Sequence, residues 1–213
     1  MIVTAERKHR NVVAAAEFAP DDYLVKPFTP HEISLRLDKA LRKKKALKHV
    51  FDHLETCDHE GAILACDRAA KITPRYLLDS LRIKAESLVA LGRIEEATAL
   101  YESIARTKAV PWARMGYAMM LQRQKKFDHA KDEAQRLNQE HPEFISVYDM
   151  LSRMHEESGD FTEAVAYLER ASAITSSNNT ERLRKIADLA ESAGDHGKAI
   201  STLQQIGRAS CRE

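Results

Sequence analysis

The stretch LRIKAESLVALGRIEEATALYESIA, residues 81–105, reads as two short amphipathic helices joined at Leu91-Gly92-Arg93. In the first helix Leu81, Leu88 and Leu91 recur at helical spacing with Ala85 between them, and Gly92 follows where a helix end favours a left-handed residue. In the second, Ala97, Tyr101 and Ile104 fall at i, i+4 and i+7 and so share one face. Small Ala85 and Ala97 would let the two helices approach closely. One such hairpin cannot bury its apolar face alone, so the chain should supply neighbours built the same way.

It does so at a regular period. The counterparts of Ala97 are Ala62, Ala130, Ala164 and Ala199, at successive intervals of 35, 33, 34 and 35 residues from Ala62 onward. The small positions of the first helices are Ala85, Ala118, Ser152 and Ala187, with Val50 in the first copy. Gly92, Gly159 and Gly194 occupy the inter-helix turns, Lys125 takes that place in the third copy, and Cys57 lies at the turn of the first. Pro74, Pro111 and Pro142 stand at or near repeat ends. This pattern resembles the tetratricopeptide repeat over roughly residues 43–211. The resemblance implies a mainly α protein, an α-solenoid of five helical hairpins whose first helices line a concave groove for a protein or peptide partner. Arg114 departs from it, standing where the family often has Trp. Leu47 and Phe51 hold positions where family members that clamp chaperone tails use Lys and Asn, which disfavours that ligand.

Composition narrows the function classes. The 213 residues are 44% apolar and 31% charged with a formal charge of +1, so there is no global attraction to nucleic acid or to an anionic membrane. Cys57, Cys66 and Cys211 do not form a disulfide framework, no apolar run approaches the roughly 20 residues of a membrane span, and no secretory signal opens the chain. A cytoplasmic setting is expected.

Residues 1–43 obey a different rule from the array assigned to residues 44–213. Apolar Met1-Ile2-Val3, an Ala-rich segment at 11–18, apolar Tyr23-Leu24-Val25 and a helix opening at Thr29-Pro30-His31-Glu32 give the order strand, helix, strand, helix. Thr29 and Glu32 have capping-box spacing, and Pro30 suits the first helical position. Such alternation implies parallel strands with a right-handed crossover. VTAE at residues 3–6 and DDYLVKPF at 21–28 resemble the second half of a bacterial response-regulator receiver domain, a partial α/β unit of flavodoxin-like type. The resemblance implies that Thr4 is the switch hydroxyl, that Lys26 pairs with phosphoryl oxygens, that Tyr23 changes rotamer with Thr4, and that the Lys26-Pro27 bond is cis. Ala19 stands where the family usually has Gly. The acidic pair that holds Mg2+ and the phospho-accepting Asp of a complete receiver have no counterpart here, and Asp21 and Asp22 do not substitute for them. The chain is therefore not expected to accept phosphate by itself, and the uncovered half-domain is expected to pair with a second copy as a homo-oligomer or to dock on the array. A part of a longer receiver–repeat protein is the simplest account of such a start.

No catalytic motif stands out, no cofactor is implied, and the chain reads as a non-enzyme. His49, His53 and Cys57 have ligand-like spacing, but the register assigns His53 to packing and Cys57 to a turn, so no metal site is assigned. The basic run Arg42 to Lys45 reads as a solvated helix end, and Thr180 as the cap of the last repeat. Trp112, Met115 and Met119 form a stripe at i, i+3 and i+7 in the register where flanking copies place Asp79, Arg82 and Glu86, or Asp149 and Arg153. An apolar centre with a charged rim marks these as candidate groove residues, and packing of Trp112 on the preceding repeat is the competing reading. Leu203 and Ile206 would favour self-association unless further chain covers them. The resulting expectation is a two-component signalling protein whose repeats bind a protein partner, or else a plain adaptor with no phosphate-linked switch.

Overall fold

The computed structural model describes residues 2–4, 23–107, 110–175 and 179–210, with the side chains of 2–4, 23 and 208–210 left aside. The Ala-rich segment at 11–18, Ala19, Asp21, Asp22 and Cys211 lie outside the described residues. Strand β1 (Ile2–Thr4) pairs in parallel with β2 (Tyr23–Val25), Ile2 opposite Tyr23 and Thr4 opposite Val25. These three-residue strands are the whole of the sheet among the described residues, which are otherwise nearly all helical. The Lys26-Pro27 bond is cis.

Helix α1 (Pro30–Ala46) starts at a capping box: Glu32 N–H donates to Thr29 Oγ1 at 3.2 Å, and Thr29 N–H to the Glu32 carboxylate at 2.7 Å. It buries none of its side chains and exposes Leu35, Leu37 and Leu41. It breaks at Leu47, which is fully buried with Val50, Ala65 and Cys66. Burial pushes the Cys66 thiol up to about 11. A side chain buried like Leu47 cannot meet a groove ligand.

Five hairpins follow: α2 (Lys48–Glu55) with α3 (His59–Ile72), α4 (Leu77–Ala90) with α5 (Ile94–Thr107), α6 (Pro111–Arg123) with α7 (Phe127–Glu140), α8 (Ile145–Glu157) with α9 (Phe161–Ile174), and α10 (Thr180–Ser192) with α11 (His196–Ser210). Described residues up to Ala130 form one compact unit and those from Lys131 a second. All five second-helix alanines are 8% exposed or less, as are Val50, Ala85, Ala118, Ser152 and Ala187 of the first helices. Ser152 Oγ donates to the Ala164 carbonyl at 2.9 Å, so the backbone of α9 comes within reach of a short side chain on α8.

Every turn between paired helices has the same construction. Cys57, Gly92, Lys125, Gly159 and Gly194 all have φ between 56° and 79°. The next residue's N–H reaches back to the carbonyl five positions earlier at 2.9 Å in each case, Arg93 to Leu88 and Asp160 to His155 for example. This is a Schellman closure, which satisfies carbonyls that a helix end otherwise leaves open. Asp58, Asp160 and Asp195 then cap the second helices by accepting from Gly61, Glu163 and Lys198 N–H. The last repeat is capped at Asn179, which accepts from Arg182 N–H, while Thr180 is its first helical residue. Cap position is set by where the helical backbone begins, and that falls one residue earlier than the Ser/Asn-rich loop suggested.

His53 Nδ1 lies 2.8 Å from Asp58 Oδ2, and His155 Nδ1 lies 3.0 Å from Asp160 Oδ2. The Gly61 N–H and then His53 hold the Asp58 carboxyl below its usual range, and the His155 and then Glu163 N–H bonds do so for Asp160.

Lys125 pays a steric cost for its left-handed φ of 60° that Gly does not. Lys125→Gly is therefore expected to raise unfolding stability by about 1 kcal/mol in urea melts, and Gly92→Ala to lower it by a similar amount. A depressed carboxyl pKa gives stability that is fully present above the unfolded value of about 3.9 and is lost as pH falls through the lower folded value. Asp58→Asn combined with Asp160→Asn keeps the cap acceptors but removes both titrations. Its urea midpoint should fall less steeply below about pH 4 than that of the parent.

Candidate functional site

In the first unit the surface of α4 and α6 gathers several of the sequence-assigned groove residues. Arg82 Nε donates to Glu86 Oε1 at 2.9 Å, and its guanidinium lies 5.5 Å from the Trp112 ring centroid. Trp112 in turn meets Tyr101 edge-on, centroids 6.3 Å apart at 72°. Such cation–π and aromatic contacts hold a ring in place while leaving part of it open to solvent. Trp112 is half-buried against the core of Leu88, Ala97, Tyr101 and Ile104, Met115 is half-buried, and Met119 is 40% exposed. The tryptophan therefore packs on the preceding repeat and still borders the surface that Met119 shares. Asp79, expected on the same rim, is held by Lys43 of α1 at 2.6 Å.

Beneath Trp112 sits a residue the sequence reading passed over. Gly116 is buried one turn on from Trp112, and a β-carbon there would collide with Cε1, Cδ1 and Cζ of Tyr101. Tyr101 is 7% exposed, and burial pushes its hydroxyl up to about 12. An isolated glycine inside a helical pattern was the available signal.

The second unit holds a cleft of about 590 Å³ whose walls include Asp149, Arg153 and Glu156 of α8 and Glu181, Arg182 and Lys185 of α10. Arg182 forks onto Asp149 through two hydrogen bonds of 3.2 and 3.1 Å and also donates to Thr175 Oγ1 at 3.3 Å. Lys185 meets Glu156 at 2.5 Å. Arg153 and Glu181 remain exposed on the wall, without an ion-pair partner among the described residues. The sequence reading named Asp149 and Arg153 but missed Arg182 and Lys185. The signal for them was an acid on one first helix followed, 33 or 29 residues later, by a base on the next.

Of the residues assigned by the receiver resemblance, Thr4 ends β1 and Tyr23 opens β2, their side chains lying outside the description, while Lys26 and Pro27 are exposed just beyond β2. His49, His53 and Cys57 do not converge: His53 bonds Asp58, His49 projects into solvent, and Cys57 forms a turn. Among the described residues no three ligating side chains gather in a metal-holding cluster, and no helix is long and apolar enough to cross a membrane.

Comparison with known proteins agrees with this geometry. Residues 144–176 match a tetratricopeptide-repeat family model, and they enclose the α8–α9 hairpin that forms one cleft wall. A tetratricopeptide repeat protein from Parabacteroides merdae superposes with a TM-score of 0.63 at 13% identity, covering 80% of this chain and 67% of that one. A MamA crystal structure gives 0.61 at 15% identity over 76% and 88%, and a MamA from Desulfovibrio magneticus 0.62 at 12% over 80% and 96%. The repeat array therefore has the tetratricopeptide fold. A separate similarity, 31% identity over 86 residues and 35% of this chain, is to the transcriptional regulatory protein SrrA of Staphylococcus aureus, of whose length the chain spans 36%.

The Gly116–Tyr101 contact supports the aromatic stack from below. Gly116→Ala should therefore lower the urea midpoint, an overpacking cost of about 1–3 kcal/mol outweighing the roughly 1 kcal/mol that Ala gains in helix propensity. In a Tyr101→Leu background the same substitution should be neutral or stabilising.

Proposed function

We propose that this chain is a signalling scaffold whose tetratricopeptide array holds a protein partner along its first helices, joined to the output half of a receiver-type unit. The observation that carries the binding role is the α8–α10 cleft, where Arg153 and Glu181 stay unpaired beside two satisfied ion pairs. Charged groups left exposed in a preorganised wall are suited to fixing the register of a bound segment. The Met115, Met119 and Trp112 surface of the first unit supplies apolar anchorage of the kind recognition surfaces use. The VTAE and DDYLVKPF motifs and the similarity to SrrA support the signalling assignment. In that reading Thr4, Tyr23 and Lys26 are the phosphate-proximal residues of the family, present here without the acceptor Asp or its Mg2+ site. A second reading is an adaptor with no phosphate-linked switch, supported by the tetratricopeptide fold of the array alone.

Two measurements test the proposal. A partner captured by the immobilised chain and then purified should shift the emission of Trp112, the single tryptophan. Arg153→Glu or Met119→Glu, both at exposed positions, should weaken its binding by about tenfold or more without changing the melting curve. Unchanged affinity in both variants would remove the groove assignment. Incubation with acetyl phosphate and Mg2+ should leave no aspartyl phosphate on the chain, and stoichiometric labelling would overturn the acceptor-free reading.

A further inference from the structure

The two open charges of the α8–α10 cleft have a cause in the pairing around them. On α8, Arg153 stands four residues after Asp149 and three before Glu156, spacings at which acids of the same helix reach a base. Both acids are already held from α10, Asp149 by the Arg182 fork and Glu156 by Lys185. On α10, Glu181 stands four residues before Lys185, which Glu156 holds in turn. The pairs between helices thus take up the partners that Arg153 and Glu181 would have had within their own.

The second repeat shows the other outcome. Counted from the small residue of each first helix, Arg153 lies one place after Ser152 and Glu181 six places before Ala187, and the same places on α4 hold Glu86 and Asp79. Glu86 accepts from Arg82 at 2.9 Å, and Asp79 is held by Lys43 at 2.6 Å. In the third repeat the two places hold Met119 and Trp112, which carry no charge. Open charge is therefore a property of the α8–α10 wall and not of the repeat.

Arg182 makes that wall a built one. Its side chain is 10% exposed and donates twice to Asp149 and once to Thr175. The cleft lining holds three acids and three bases, so its net charge is zero, with an open base on α8 and an open acid on α10. A ligand segment of one sign would gain at one of them and be repelled at the other. An apolar segment would strip water from both and replace it with nothing. We propose, on the reading of this cleft as a partner-binding wall, that it takes a partner segment carrying both an acid and a base, the acid on Arg153 and the base on Glu181. Neighbouring helix axes lie about 8–10 Å apart, the span of about three residues of extended chain, which sets the separation of the two charges in the partner.

Panning a random-peptide phage library on the immobilised full chain tests this. Peptides that the parent enriches and that Arg153→Glu and Glu181→Arg both lose should carry an acid and a base about three residues apart. Each variant, at an exposed position, should raise the dissociation constant of such a synthetic peptide about tenfold or more with an unchanged melting curve. Panned afresh, Arg153→Glu should select peptides with bases alone and Glu181→Arg peptides with acids alone. Cleft-dependent peptides of a single sign on the parent overturn the proposal, and so does a parent that enriches no peptide sensitive to either variant. Peptides that respond only to Met119→Glu overturn it as well, but leave the protein-binding role standing on the surface of the first unit.

Discussion

Each hairpin depends on a single residue held at positive φ, flanked by two back-directed hydrogen bonds that close the first helix and aim the second. Because the closing bond is 2.9 Å at all five turns, the second helices begin in equivalent positions, and the alanines from Ala62 to Ala199 all reach the helix crossing. Small residues let the helices approach there, as the Ser152–Ala164 contact shows by putting a hydroxyl on the neighbouring helix's carbonyl, while the first hairpin accommodates Val50 in the place of Ser152. Three turns meet the constraint with Gly, while Cys57 and Lys125 meet it under steric load. Where Asp follows the turn, one residue both completes the closure and caps the next helix, and in the first and fourth repeats a histidine five positions earlier steadies that carboxylate.

Once the crossings are fixed, successive first helices are linked by side chains that span one repeat. In the second unit that link is ionic, Asp149 to Arg182 and Glu156 to Lys185; in the first it is the Arg82 guanidinium over Trp112. These contacts are partly solvated, so each adds little to stability, but together they set which charges are consumed and which stay available to a ligand. Arg153 and Glu181 stay available because their neighbours on the same wall are paired with each other.

Much of the array was legible in the chain. The near-34-residue spacing of the alanines and the three turn glycines, like the Thr29–Glu32 box ahead of the array, each state a local rule that needs no distant partner to be read. Legibility failed where a residue's meaning lies in another helix. Gly116 looks like a weak helix residue until the Tyr101 ring is placed against it, and Arg182 looks like a surface cation until Asp149 closes on it. Trp112 admitted two readings because its ring satisfies both, packing on Tyr101 while bordering the surface of Met119.

The sequence by itself determined the period, the hairpins and the small residues at their crossings, since helix propensity, left-handed turns and close approach are properties of short segments. The resemblance of the VTAE and DDYLVKPF stretches to a receiver rests on the sequence alone. Only the tertiary structure decided which charges are paired across the cleft and which remain open. Pairing and burial depend on residues about one repeat away, and whether those residues arrive is settled by packing between hairpins.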